Sequence, residues 1–100
     1  MNGAPWVFAC SPASTSCVRV AESLPSGTVL ALPRGSDTYV KHIPNSGEPA
    51  RGVLLRGVFD GEAVAVLREA TLLGPLLNEG RGIDVSTRND LRAAGLKVWL

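Results

Sequence analysis

The sequence predicts a single, mainly β domain of the β-rich α+β class. We expect a small barrel or sandwich of short strands, with one short helix near the C-terminus and an extended arm at the N-terminus. Short runs alternate between apolar and polar residues and are rich in β-branched side chains, which is typical of strands. Turn formers separate these runs, with 11 glycines and 7 prolines in 100 residues. Signals for the start and the end of a helix occur together near the C-terminus.

Residues 1–16 are predicted to form the arm, and residues 17–100 the single β-rich domain. The first segment is rich in Ala, Ser, Pro and Thr and lacks any helical or strand periodicity. Trp6, Val7 and Phe8 are its large apolar residues. Such side chains either pack against the domain or anchor the arm to a partner, and the composition is compatible with both interpretations.

Five strands are expected before the helix, at residues 17–21, 28–32, 38–43, 51–58 and 63–67. The unbroken Val53-Leu54-Leu55 indicates burial on both faces of its strand. Asp60-Gly61 predicts a hairpin turn into the next strand, which places Ala63, Ala65 and Leu67 on one face. That strand is expected to continue after a bend through residues 68–73, and residues 76–82 to form a loop.

The helix is predicted over residues 88–94. Thr87 is expected to cap it, with Asp90 reaching back from the third position in a variant of the capping box. Gly95 occupies the position where a glycine ends a helix, and Leu96 is then expected to contact Leu91 in a Schellman ending. Such a short helix is unstable alone, so its Leu91 face must dock on the sheets before a last strand at residues 97–100.

Composition excludes several classes of function. The net charge of +1 gives no attraction to nucleic acid or to an anionic membrane, and no segment approaches the ~20 apolar residues of a membrane span. Cys10 and Cys17 match neither a redox pair nor a zinc half-site, so no metal or cofactor is expected. A disulfide between them remains open, although free thiols are the expectation for a protein made in a reducing cytosol.

Catalytic machinery is not visible, and we expect the protein not to be an enzyme. His42 is expected at an exposed or edge position, and a dyad with Cys10 or Cys17 has no supporting signature. Three arginines can line one sheet face, as solvated charges or as hydrogen-bond donors at an interface; they are Arg51, Arg56 and Arg68.

From about residue 16 onwards, the order of motifs resembles the lambda-type head decoration proteins of tailed phages. The matching segments are Gly27-Thr-Val-Leu-Ala31, Tyr39 before a loop at Pro44, Ala50-Arg-Gly-Val-Leu54, Ala63-Val-Ala-Val-Leu-Arg-Glu-Ala70 and Leu91-Arg-Ala-Ala-Gly-Leu-Lys-Val98. The chain departs from that pattern in three ways. It lacks the Trp-Pro that many members carry between Leu73 and Ser86, its arm is unusual, and Trp99-Leu100 extends the last strand.

The resemblance implies a structural component of the virion, made in the cytoplasm of the host bacterium and bound to the outer surface of the capsid. Such a cement protein binds the lattice of the major capsid protein as homotrimers and stabilises the head. The arm, with Trp6, Val7 and Phe8, is then expected to lie along the capsid protein. Tyr39 joins Arg51, Arg56 and Arg68 as a candidate for trimer or capsid contacts.

A second class of function stays open. Trp6, followed later by Cys17-Val-Arg-Val-Ala-Glu22, resembles a family of short actinobacterial regulatory partners with a Trp…Cys-Val-x-Val-Ala pattern. Their Ala-Val-Arg-Asp strand is missing here. On this alternative, the chain is a small regulatory protein-binding module of a bacterial host.

Overall fold

The computed structural model describes residues 15–44, 47–57, 61–68 and 70–99, and within these ranges the side chains of Arg56 and Glu79 lie outside the description. The expected contacts of Trp6, Val7 and Phe8, the thiol of Cys10 and the turn residue Asp60 therefore fall outside the described residues. Almost all of the predicted arm does so too.

A closed barrel of five strands forms most of the molecule. The strands are β1 (Ser16–Val20), β2 (Val29–Ala31), β3 (Thr38–Lys41), β4 (Ala50–Gly57) and β5 (Glu62–Val66). Their order around the barrel is β1-β3-β2-β4-β5, and β1 pairs with β5 to close it. All neighbours are antiparallel except β1 and β3, which are parallel. The mainly β class predicted from the sequence is thus confirmed, and of the two expected architectures, barrel or sandwich, the structure is a closed barrel.

A second layer covers one side of the barrel. It contains β6 (Thr71–Leu73), a 3₁₀ turn (Gly74–Leu76), a single helical turn α1 (Leu77–Gly80), the helix α2 (Val85–Ala93) and β7 (Lys97–Trp99). β6 and β7 pair in parallel as a separate two-stranded sheet. The expectation that β5 simply continues through residues 68–73 is therefore wrong, as is a wholly irregular segment at 76–82. The chain leaves the barrel after Val66 because β6 finds its partner in the distant β7.

The hydrophobic core has two parts on either side of the barrel wall. The barrel interior holds small and medium side chains, namely Val20, Leu30, Leu54, Ala63 and Ala65. The second part lies between the barrel and the covering layer and includes Val53, Val66, Leu72, Leu91 and Leu96. Val53 and Leu54 are adjacent and both fully buried, one in each part. The predicted burial of that strand on both faces is confirmed.

Helix α2 begins three residues earlier than the sequence predicts. Its N-cap is Asp84, whose carboxylate accepts a 2.8 Å hydrogen bond from the Thr87 N–H. Thr87 is therefore inside the helix and buried, and the predicted capping box is wrong. Asp90 reaches a different strand instead, because its Oδ2 accepts a 3.1 Å hydrogen bond from the Ala50 N–H at the start of β4.

The end of α2 follows the prediction. Gly95 has φ +103°, and its N–H donates to the Arg92 carbonyl at 3.0 Å. The Leu96 N–H donates to the Leu91 carbonyl at 3.0 Å, which completes the Schellman pattern. Leu91 and Leu96 are both buried in the core under the helix. This ending turns the chain directly into β7.

Candidate functional site

One end of the barrel forms a groove that brings together three of the residues singled out from the sequence. Its volume is about 660 Å³. We call it the arginine groove, and its walls are Leu32, Tyr39, Arg51, Leu67, Arg68 and the helix end Ala93–Ala94. Tyr39, Arg51 and Arg68 therefore share one surface. The side chain of Arg56, the fourth candidate, lies outside the described residues.

Strand geometry explains why these side chains face outward here. Ala50, at the start of β4, is buried, so strand alternation exposes the next residue, Arg51. Arg68 follows the end of β5 and is also exposed. Tyr39 and Leu67 are half-buried and pack against the core of the barrel interior. The groove thus has a charged rim and an apolar floor. Packing against the core holds the floor in place.

The two arginines lie near the same end of the β4–β5 ladder. That ladder ends at the pair of Val53 and Val66. Arg51 lies two residues before Val53, and Arg68 lies two residues after Val66, beyond the end of β5. In the described part of the chain, neither guanidinium forms a salt bridge with a carboxylate. The groove therefore carries two positive charges for which the described residues provide no ion-pair partner.

The nearby carboxylate of Asp90 is already engaged. It lies with Arg51 on the wall of a smaller hollow of about 210 Å³ beside the groove. Its Oδ2 accepts the Ala50 N–H, which fixes the start of β4 against α2. Asp90 therefore joins α2 to the barrel, and it holds in place β4, the strand that carries Arg51.

His42 is not exposed as the sequence predicts. It is only 8% exposed, and its backbone N–H donates to the Val29 carbonyl at 2.9 Å. It directly follows β3 and lies beside the fully buried Val29 of β2. Its imidazole is close enough to Asp84 to help lower the pKa of that carboxyl, after the larger effect of the Thr87 hydrogen bonds.

Cys17 and His42 do not form a dyad. Cys17 is a free, exposed thiol on β1. β1 and β3 are parallel with Arg19 opposite Thr38, so Cys17 lies level with position 36. His42 is six residues beyond that level, which corresponds to roughly 20 Å along the sheet. Among the described residues, no group of three or more His, Cys, Asp or Glu side chains could hold a metal ion.

Among the residues that the structure describes, three large apolar side chains are exposed that the sequence analysis did not treat as contact residues. They are Ile43 and Val85, each 62% exposed, and Trp99, 59% exposed. Trp99 lies on β7 beside a hollow that Arg92 and Lys97 also line. The exposure of Trp99 could have been predicted from the sequence pattern, because alternation around the buried Val98 puts Trp99 on the same outward face as Lys97.

Comparison with family models, curated proteins and solved structures finds no match to this chain. Within the described residues, no helix is both long enough and apolar enough to cross a membrane.

Proposed function

We propose that this chain is a phage head decoration protein, which binds the outer surface of the major capsid protein lattice as homotrimers and stabilises the head. The observation that carries the proposal is the order of the five matching motif segments along the chain. Each segment coincides with a defined part of the fold. They supply β2, β3, the first half of β4, β5, and the end of α2 with the start of β7.

The glycines of these motifs have structural reasons to be glycine. A Cβ at Gly52 would lie 2.8 Å from the Val66 carbonyl oxygen, because β4 and β5 approach closely there. Gly27 and Gly95 have positive φ, at a turn and at a helix end. The glycines of these motifs therefore stand at positions where this barrel and this helix ending require them.

On this proposal the protein acts by mass action and performs no catalysis. A protein that binds the assembled shell but not its dissociated subunits stabilises the shell by the free energy of binding. A ring of three copies requires two different patches on each subunit, because the contact is head-to-tail. The exposed surface around Trp99, which borders the C-terminal end of α2, is a candidate for one of these patches.

Shell binding tests the proposal directly. Expanded shells would be assembled from the major capsid protein encoded nearest to the gene for this chain, and sedimented with and without the purified protein. We expect stoichiometric co-sedimentation and a higher temperature of shell disruption. A gene neighbourhood without a capsid gene, or protein that stays in the supernatant, contradicts the proposal and favours the regulatory module.

A further inference from the structure

The arginine groove contains a like-charge pair. Arg51 and Arg68 both line it, and two like charges held in one groove repel each other. No carboxylate forms a salt bridge with either guanidinium within the described residues. We propose that the groove binds an extended segment of a partner protein that presents a carboxylate side chain to this pair, flanked by apolar side chains.

The charge of the groove selects the carboxylate. Guanidinium groups form paired hydrogen bonds with a carboxylate, and charge-assisted bonds of this kind are among the strongest in proteins. Two guanidiniums in one groove can hold the two oxygens of one carboxylate between them. Binding would then remove the repulsion as well as add the bonds.

The walls select a protein segment. Leu32, Leu67 and the ring of Tyr39 offer apolar surface beside the charges, and Ala93 and Ala94 leave room because their side chains are small. The volume of about 660 Å³ is within the ~300–1,000 Å³ typical of ligand sites. Nucleic acid would instead favour a wider basic stripe, and the net charge of the chain is only +1.

The occupant belongs to another chain. The N-terminal segment of this protein enters β1 at Ser16, on the rim of the groove. Residues 1–15 contain no Asp or Glu, so they cannot supply the carboxylate. Under the proposed function, the partner is the major capsid protein. The inference rests on that proposal for the identity of the partner, whereas the chemistry of recognition rests on the groove alone.

Peptide titration tests the chemistry without a capsid. The full chain, labelled with ¹⁵N, would be titrated with acetyl-Val-Glu-Val-amide and with its Gln counterpart. We expect the Glu peptide to shift the amide signals of Leu67, Arg68, Ala93 and Ala94, and to bind about tenfold more tightly than the Gln peptide. Equal affinities, no shifts at millimolar peptide, or shifts elsewhere would overturn the inference.

Variants assign the effect to the arginines. R51Q/R68Q should abolish the preference for Glu, whereas the matched control Arg81→Gln, at an exposed arginine outside the groove, should keep it. Removing the charges should also leave the melting temperature unchanged or raise it, because a repulsion is lost. A large fall in melting temperature would show that the pair is structural, and would overturn the inference.

Further measurements distinguish a failure of this inference from a failure of the proposed function. If R51Q/R68Q decorates shells as well as the wild type does, the inference fails while the proposed function stands. If the Glu peptide binds selectively but no shell binds, the proposed function fails and the inference stands. Displacement of the Glu peptide by a single-stranded oligonucleotide or by phosphatidylglycerol vesicles would overturn it in favour of a phosphate site.

Discussion

Asn78 shows how a single residue joins the two layers of the molecule. It has φ +54°, a conformation that asparagine tolerates better than most residues. Its Oδ1 accepts a 3.0 Å hydrogen bond from the Val29 N–H, and its own N–H donates to the Gly27 carbonyl. Val29 is fully buried, so its N–H cannot turn to water instead. Asn78 therefore satisfies the first N–H of β2.

Replacing Asn78 should destabilise the fold by an amount that depends on the new side chain. Asn78→Ala leaves a buried N–H without a partner and places alanine, which tolerates the left-handed region less well than asparagine, at a positive φ. We therefore expect a loss of about 2–4 kcal/mol in the free energy of unfolding. Asn78→Asp keeps an acceptor and should lose clearly less. Denaturant unfolding of both variants measures this. Equal losses would show that the hydrogen bond to Val29 is unimportant.

Asp84 gives the fold a dependence on acidic pH. Hydrogen bonds from Thr87 favour its carboxylate, so the folded-state pKa lies below the ordinary value of 3.8. The stabilisation from the charged cap is complete above that value and is lost as the pH falls through the lower folded-state pKa. Asp84→Asn keeps the capping bond without a titrating group.

We expect wild type and Asp84→Asn to have similar stabilities near pH 7. Below about pH 4, the wild type should lose stability faster than the variant, because only the wild type must protonate its cap. Thermal unfolding across the acidic range measures the difference. If stability falls with pH in the same way for both proteins, protonation of Asp84 does not affect the stability of the fold.

At the scale of elements, the ending of α2 was predictable and its beginning was not. The end depends on residues next to each other in the chain, since Gly95 can take a positive φ and Leu96 then reaches Leu91. The cap was predicted at Thr87, whereas the observed cap is Asp84, whose carboxylate accepts the Thr87 N–H. Asp90, which was expected to reach back to Thr87, instead accepts the Ala50 N–H of the distant strand β4.

Residues 71–73 were expected to be extended, but as a continuation of β5 and not as the separate strand β6. Its partner β7 lies beyond α2, and parallel pairing between Leu72 and Val98 leaves no local signal in the sequence. The apolar run through Leu72 and Leu73 is equally compatible with an extension of β5. Short-range patterns predict where strands form, whereas the pairing of distant strands depends on the packing of the whole covering layer.

Gly95→Val tests the Schellman ending of α2. A β-branched residue at φ +103° is strained, and its Cβ would also lie 3.4 Å from the Cβ of Arg68. We expect the variant to lose about 1–2 kcal/mol or more of unfolding free energy. Gly95→Asn, the control, should lose less, because asparagine tolerates this region better. A valine variant that melts like the wild type would contradict the account of this helix end.

At the scale of the whole molecule, the sequence indicated which residues share a surface but not the shape of that surface. Arg51 and Arg68 were expected on one sheet face, and they lie in one groove with Tyr39. The groove itself arises because the barrel closes and α2 docks beside its end. That geometry follows from pairings between distant strands, which periodicity cannot supply. The exposure of Trp99 follows from the same covering layer.

The N-terminal arm provides a prediction at this scale. Deleting residues 1–10 removes Trp6, Val7 and Phe8 but none of the core described above. We expect the melting temperature to stay nearly unchanged and shell binding to weaken sharply, because each aromatic can contribute roughly a few kcal/mol in a partner's pocket. Calorimetry and co-sedimentation measure the two effects. A truncated chain that unfolds, or that decorates shells as well as the full chain, contradicts this role for the arm.

We propose that this barrel binds a capsid as a trimer and stabilises it. Cryo-electron microscopy of shells incubated with the full chain tests the proposal. We expect density for three copies around the threefold or quasi-threefold positions on the outer surface, with head-to-tail contacts between neighbouring subunits. Shells without added density, or density for single or twofold-related copies, would contradict it.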